Sequence, residues 1–181
     1  QRLTGGDPQR VDAVSLLDHV VDDLRVLAEE HVVSVVINAA PEHLYVIENR
    51  VMLRQAMLNL ISQILPCIYP GEALHVRIER RGERACIELD YRGDCLSRSP
   101  DPKDPQAIAQ QLFDLLSVSC TKVTQGEGRQ RITIELNIAE EQSVLIVDDN
   151  RDLIALFQRY LRHQPYQVYG AASFAQALAM L

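Results

Sequence analysis

The chain has no tryptophan, and its aromatic residues make up only 5% of 181 positions. That leaves too few flat side chains for a stacking platform that would hold nucleic-acid bases. Positive charge is also in deficit: 18 Lys and Arg stand against 25 Asp and Glu, a formal net charge of -7. This excludes a nucleic-acid backbone or an anionic membrane surface as the main partner. No apolar run reaches the roughly 18 residues of a membrane span, and no signal peptide is visible. The four cysteines, Cys67, Cys86, Cys95 and Cys120, are scattered without a C-x-x-C pair. Zinc spacing is therefore absent, no disulfide framework is expected, and the compartment reads as reduced and cytoplasmic. What remains is 47% hydrophobic and 24% charged residues, ordinary for a globular protein with a real core. The length suits one large domain or one and a half small ones.

The first ten residues (QRLTGGDPQR) read as a linker. Gln1 is not a natural start, so the sequence reads as part of a longer protein. From Val11 to Ala28, apolar residues recur at helical spacing. HVVSVVIN (31–38) is β-branched and strand-like. Pro41 and Glu42 mark a turn, and a second strand follows over 43–47. Residues 50–65 form an amphipathic helix that stops at Pro66. Leu74, Val76 and Ile78, then Ala85, Ile87 and Leu89, alternate with polar residues on either side of RRGE (80–83), a hairpin pattern. A loop spans 90–105, a helix 106–116, a strand 118–124, a turn 125–128 and a last alternating strand 132–136. Helices interspersed with hairpin-connected strands predict an α+β fold, a two-layer sandwich of helices on one face of a mixed sheet.

At Ser143 the pattern changes. SVLIVDDN is an apolar run ending in two carboxylates, the form of a buried parallel strand with a site at its C-terminal edge. A helix over 152–161, a strand over 167–171, Ser173 as N-cap and a helix start over 174–181 follow. This is the beginning of an α/β unit, and about 39 residues are too few to complete one.

The helix over 50–65 carries Asn59 and Gln63 four residues apart, so its carboxamides stack on one helix face. Two surface amides would satisfy that pattern, and so would a ligand site. The stretch ENRVMLRQAMLNLISQI resembles the N-box of sensor histidine kinase ATP-binding domains, a family sharing its fold with gyrase and related chaperone ATPases. There the helix reads NLxxN. CIELDYRGD resembles the next motif of that family, D-x-G-x-G, and QGEGRQRITIELNI its closing turn and strand. SVLIVDDN resembles the first strand of a response-regulator receiver domain, of flavodoxin-like α/β fold. ATPase followed by receiver is the order of hybrid histidine kinases. The resemblance implies a linker from an upstream dimerisation region over 1–10, an ATPase domain over 11–140 and the start of a receiver over 143–181.

The resemblance also implies ATP and Mg²⁺ as cofactors. Asn59, Gln63, Asp90 and Gly93 would be the nucleotide-binding positions. Gln63 stands where the family has the metal-binding asparagine, with its amide one methylene further out. Asp90 matches the carboxylate that accepts from the adenine amino group, which puts Arg92 and Asp94 at the two glycine positions and Gly93 one step out of register. Glycine is required there because backbone runs close to the base. The family's glycine-rich phosphate loop is replaced by RSPDPKDP (98–105), three of whose residues are prolines without an N–H. Asp148 and Asp149 form a hard-oxygen pair suited to Mg²⁺, as in receivers, although a strand-end acid pair can also simply cap the following helix. None of the five histidines has the family's H-E/D-x-R-x-P signature, so neither a phosphoacceptor nor a catalytic residue is assigned.

These departures together predict a degenerate, catalytically weak or inactive ATP-binding domain that acts as a signalling or scaffold module in two-component signal transduction. Phosphoryl transfer depends on positioning and electrostatic stabilisation, so losing several parts at once is severe. The alternatives are an active ATP-dependent kinase passing phosphate to its own receiver, and a purely structural linker or dimerisation module. Expected partners are phosphorelay proteins or the upstream sensor and dimerisation region, with a homodimer as one arrangement.

Overall fold

Alternation of apolar and polar residues along three adjacent strands decides the architecture. The computed structural model describes residues 7–40, 43–94, 105–139, 142–161 and 166–180. They divide into two compact units, Gln1–Ala139 and Glu140–Leu181.

The first unit opens with β1 (Gln9–Asp12), α1 (Ala13–Asp23) and α2 (Arg25–Glu30), then β2 (Ser34–Ala40), β3 (Tyr45–Glu48) and α3 (Arg50–Ile64). β4 (Ala73–Arg81) and β5 (Arg84–Arg92) form the hairpin. α4 (Pro105–Leu116), β6 (Ser119–Thr124) and β7 (Arg129–Asn137) complete it. The main sheet runs β2-β4-β5-β7-β6. β2 and β4 are parallel and the other neighbours antiparallel, so the sheet is mixed and the fold is α+β. The parallel pair arises because β3 and α3 form the crossover between β2 and β4.

Segment 9–12, read as linker and helix from sequence, is instead a strand antiparallel to β3. Four residues are too few for periodicity to register, and only the long-range partner reveals the strand. Its last residue, Asp12, then caps α1: its carboxylate accepts from Val14 N at 3.1 Å. The same carboxylate lies 2.7 Å from His43 Nδ1 and ties the helix start to the β3 side. The turn at Pro41 and Glu42 and the proline-rich 98–104 stretch lie outside the described residues.

Register sets the core. Val76, Leu89 and Ile132 are cross-strand partners, as are Ile78, Ile87 and Ile134. All six are buried and join one cluster with Leu17, Leu53, Met57, Ile61 and Phe113 from the helices. Each such side chain contributes roughly 1.5–3 kcal/mol on burial. The helices therefore cover one face of the sheet. The intervening residues, including His75, Arg77, Glu88, Asp90 and Arg131, project from the other face.

Cys67 is disulfide-bonded, whereas Cys86 and Cys120 are free. This corrects the expectation of reduced thiols throughout: cysteine spacing in sequence does not report which sulfurs the fold brings within bonding distance. Cys95 lies outside the described residues.

In the second unit β8 (Gln142–Val147) is parallel to β9 (Tyr166–Ala171), with α5 (Arg151–Leu161) between them and α6 (Phe174–Leu178) after. Ser173 caps α6 by accepting from Gln176 N at 3.2 Å. α6 is shorter than the helix expected from Phe174 onward.

Candidate functional site

α3 is started by Asn49, whose side chain accepts from Met52 N at 3.0 Å. Leu53, Ala56, Met57, Leu60, Ile61 and Ile64 form its buried face. Asn59 and Gln63 stand beside that stripe, both half-buried. The Asn59 carboxamide is engaged along the helix: Gln55 Nε2 donates to its Oδ1 at 3.1 Å. The Asn59 backbone carbonyl accepts from Ser62 Oγ at 3.0 Å. Gln63 also has a polar partner. The Asn59 carboxamide thus pairs with Gln55, one turn towards the helix start, and its oxygen already accepts one hydrogen bond.

Asp90 lies elsewhere. It is the cross-strand partner of both His75 and Arg131, on the sheet face away from the helices. Arg131 grips it with two hydrogen bonds, Nε to Oδ1 at 2.7 Å and Nη2 to Oδ2 at 3.1 Å. That pairing raises the Arg131 pKa above its ordinary value. The structure thus does not bring Asp90 together with Asn59 and Gln63. The helix-facing side chain at this end of β5 is Tyr91, 3% exposed. Burial alone pushes its phenol up to about 12.

Two residues past Tyr91 comes Gly93, which sits against the short 3₁₀ turn Leu65–Cys67 after α3. Its N–H donates to Gly128 O at 2.9 Å, and Asp94 N donates to Cys67 O at 3.0 Å. A Cβ on Gly93 would lie 2.1 Å from Cys67 O and 2.9 Å from Ile68 Cα. Only glycine fits such a backbone crossing. Gly93 therefore stands where close approach is tightest, and Asp94 beside it makes a backbone contact that any residue could make.

Asp148 and Asp149 end β8 in the second unit. Asp148 Oδ1 accepts from Asn150 N at 2.8 Å, and Asn150 Oδ1 accepts from Asp152 N at 3.0 Å as α5 begins. The turn is thus built from Asx hydrogen bonds, and Asp149 is exposed. Among the described residues no three His, Cys, Asp or Glu side chains converge to hold a metal. A Mg²⁺ at α3 would depend on carboxamide oxygens alone, and one at β8 on two carboxylates and water. Mg²⁺ keeps several waters and takes one or two carboxylates or substrate phosphate oxygens, so the carboxylate pair at β8 fits such an ion better than the carboxamides of α3.

A cavity of about 440 Å³ lies on the helix-free face of the sheet, lined by His75, Arg77, Asp90, Arg92, Arg129 and Arg131 among others. The motifs quoted from the sequence include Arg92, Arg129 and Arg131 but give these arginines no binding role. Their signal was alternation: Arg77 sits between Val76 and Ile78, and Arg131 beside Ile132, so each must face away from the core. Of the histidines, His43 pairs with Asp12, and His19 Nδ1 lies 2.5 Å from Ser15 O.

No protein-family model matches the sequence, and no curated protein matches it. Solved structures do share its fold. The catalytic domain of histidine kinase ThkA superposes with a TM-score of 0.64 at 10% identity, over 73% of this chain and 97% of that one. The mycobacterial sensor histidine kinase MprB gives 0.61 at 17%, over 72% and 97%. Full-length ShkA, in complex with AMPPNP, gives 0.60 at 17% and covers 95% of this chain, but only 42% of its own length is matched. The fold of the first unit is that of histidine kinase catalytic domains. Among the described residues no helix is long and apolar enough to cross a membrane.

Proposed function

We propose that the first unit is a histidine-kinase-type ATP-binding domain whose nucleotide site has degenerated, and that it works in two-component signalling as a binding or scaffold module. The observation that carries this is the register at the end of β5. If Tyr91 is set at the position of the family's aspartate, Gly93 falls two residues later, at the first glycine of D-x-G-x-G. This register also agrees with the face that Tyr91 presents. The adenine-recognising carboxylate is then a buried phenol. Asp90, assigned that role from sequence, faces away and is committed to Arg131. With Gln63 in place of an asparagine and an engaged Asn59 amide, the described residues do not fit Mg-ATP in the family's manner.

We read residues 11–140 as this domain and 143–181 as the start of a receiver-type unit. The parallel β8–α5–β9 arrangement with Asp148 and Asp149 at its edge supports that reading. So does the ShkA match, whose coverage extends past the first unit. Partners on this reading are an upstream dimerisation region and phosphorelay proteins, in the cytoplasm.

Calorimetric titration with ATP and a non-hydrolysable analogue, with and without Mg²⁺, tests the proposal. No heat and no thermal stabilisation at millimolar nucleotide is the expected result. Micromolar, Mg-dependent binding with turnover would instead establish an active kinase domain.

A further inference from the structure

We infer that the open face of the sheet carries an anion site for a small ligand bearing a phosphate or diphosphate group. The chain as a whole is acidic, at -7. The cavity on this face is the reverse: Arg77, Arg92, Arg129 and Arg131 line it, with only Glu72 and Asp90 as carboxylates. These arginines come from three strands, β4, β5 and β7, and register places Arg92 directly opposite Arg129. Like charges set directly opposite each other are destabilising unless something offsets them.

The acidic residues around the cavity act as braces for the cations. Asp90 holds Arg131 through Nε and Nη2, leaving its Nη1 donors uncommitted. Glu88, whose side chain is 3% exposed, takes Arg77 at 3.2 Å and Arg81 at 2.8 Å. Arg81 pairs with Glu79 as well. Arg92 Nε donates to Glu127 O at 3.3 Å, while its Nη1 lies 3.6 Å from Glu72. Arg129 and His75 make no side-chain hydrogen bond or ion pair among the described residues. The result is several oriented guanidinium groups with spare N–H donors around a cavity of about 440 Å³, within the range of small-ligand sites. Guanidinium forks match phosphate oxygens in pairs, which favours a phosphate group over a lone carboxylate. Tyr91 also contributes to the lining, whereas Asn59 and Gln63 do not, and the four arginines carry the site without the kinase-type reading.

The test is titration of the whole chain with inorganic pyrophosphate at low salt, alongside citrate and a glutamate-rich peptide. Arg129→Ala and Arg92→Ala are compared with Lys122→Ala, a β6 control outside the cavity. Pyrophosphate should bind, weaken on the order of tenfold in each arginine variant and be unchanged in Lys122→Ala. Circular dichroism confirms that each variant is folded. No binding at millimolar pyrophosphate, or binding indifferent to both arginines, overturns the site. Citrate binding as tightly as pyrophosphate overturns the phosphate assignment. Peptide binding that needs both arginines while pyrophosphate fails would make this face a protein-docking surface, and would overturn the proposal too. ATP could fail at the family pocket and pyrophosphate still bind here, so the two readings fail separately.

Discussion

The two faces of the five-stranded sheet share the same strands one residue out of phase, yet they obey different physics. The helix-covered face is Leu74, Val76 and Ile78 against Ile87, Leu89 and Tyr91 against Ile132, Ile134 and Leu136, all buried. Its stability comes from area removed from water, and a deletion there leaves a void. The open face is His75 and Arg77 against Glu88 and Asp90 against Arg131 and Thr133. Its interactions are ion pairs in or near water, worth little singly and sensitive to salt. A fold of this kind can therefore lose or gain chemistry on the open face without losing its core. A change on the covered face, such as a tyrosine at the end of β5, has to be absorbed by packing.

The contrast can be broken most sharply in the core. Leu89→Ala should lower unfolding free energy by about 2–5 kcal/mol, while Thr133→Ala, on the open face of neighbouring β7, should stay within about 0.5 kcal/mol. Chemical denaturation of both variants reads the difference, and similar losses would mean that the two faces are not distinct. Gly93→Ala comes next, at about 2–3 kcal/mol, because the new Cβ meets backbone that cannot give way. A denaturation midpoint equal to that of the parent would show that the Cys67 turn relaxes.

Tyr91 supplies a pH test with a definite sign. Its folded-state pKa of about 12 lies above the ordinary 10.0. The fold thus favours the protonated phenol, so stability is intact below pH 10 and is lost as pH rises toward 12. Cys120, raised from 9.0 to about 11, acts in the same direction. Between pH 10 and 12, Tyr91→Phe should therefore keep on the order of 1–2 kcal/mol more stability than the parent, and parallel pH curves would place the phenol in water. The smallest effect belongs to the open face. A double-mutant cycle on Asp90→Asn and Arg131→Gln should give a coupling of about 1 kcal/mol or less, shrinking with added salt. A coupling of several kcal/mol would put the pair in a far drier setting than its partial exposure indicates.

Much of this could be read from sequence because it is local. The β4–β5 hairpin, the helix over Arg50–Ile64 and the α5 and β9 segments all announce themselves by period and by Asn, Ser or Pro at their ends. Asn59 and Gln63 both fall within the helix, as their spacing predicted. The candidate site was less legible. Asp90 and Tyr91 are adjacent letters, and motif matching by residue identity chose the carboxylate, whereas the strand's alternation assigns the helix-facing position to Tyr91. The continued pattern Ile87, Leu89, Tyr91 held that information. The strand over Gln9–Asp12 was too short to show a period, and a disulfide has no signature in sequence when cysteines are scattered.

By itself, then, the sequence determined the acidic balance, which is a sum over residues, and most of the elements with the two-sided character of the sheet, which depend on neighbours a few residues apart. Only the tertiary structure decided which carboxamides, carboxylates and arginines share a surface. Arg77, Arg92, Arg129 and Arg131 come from three strands, and β5 and β7 are joined only after α4 and β6 have intervened. Such a cluster exists only once long-range pairing sets the register, and a shift of one residue in that register would turn every one of its members to the other face.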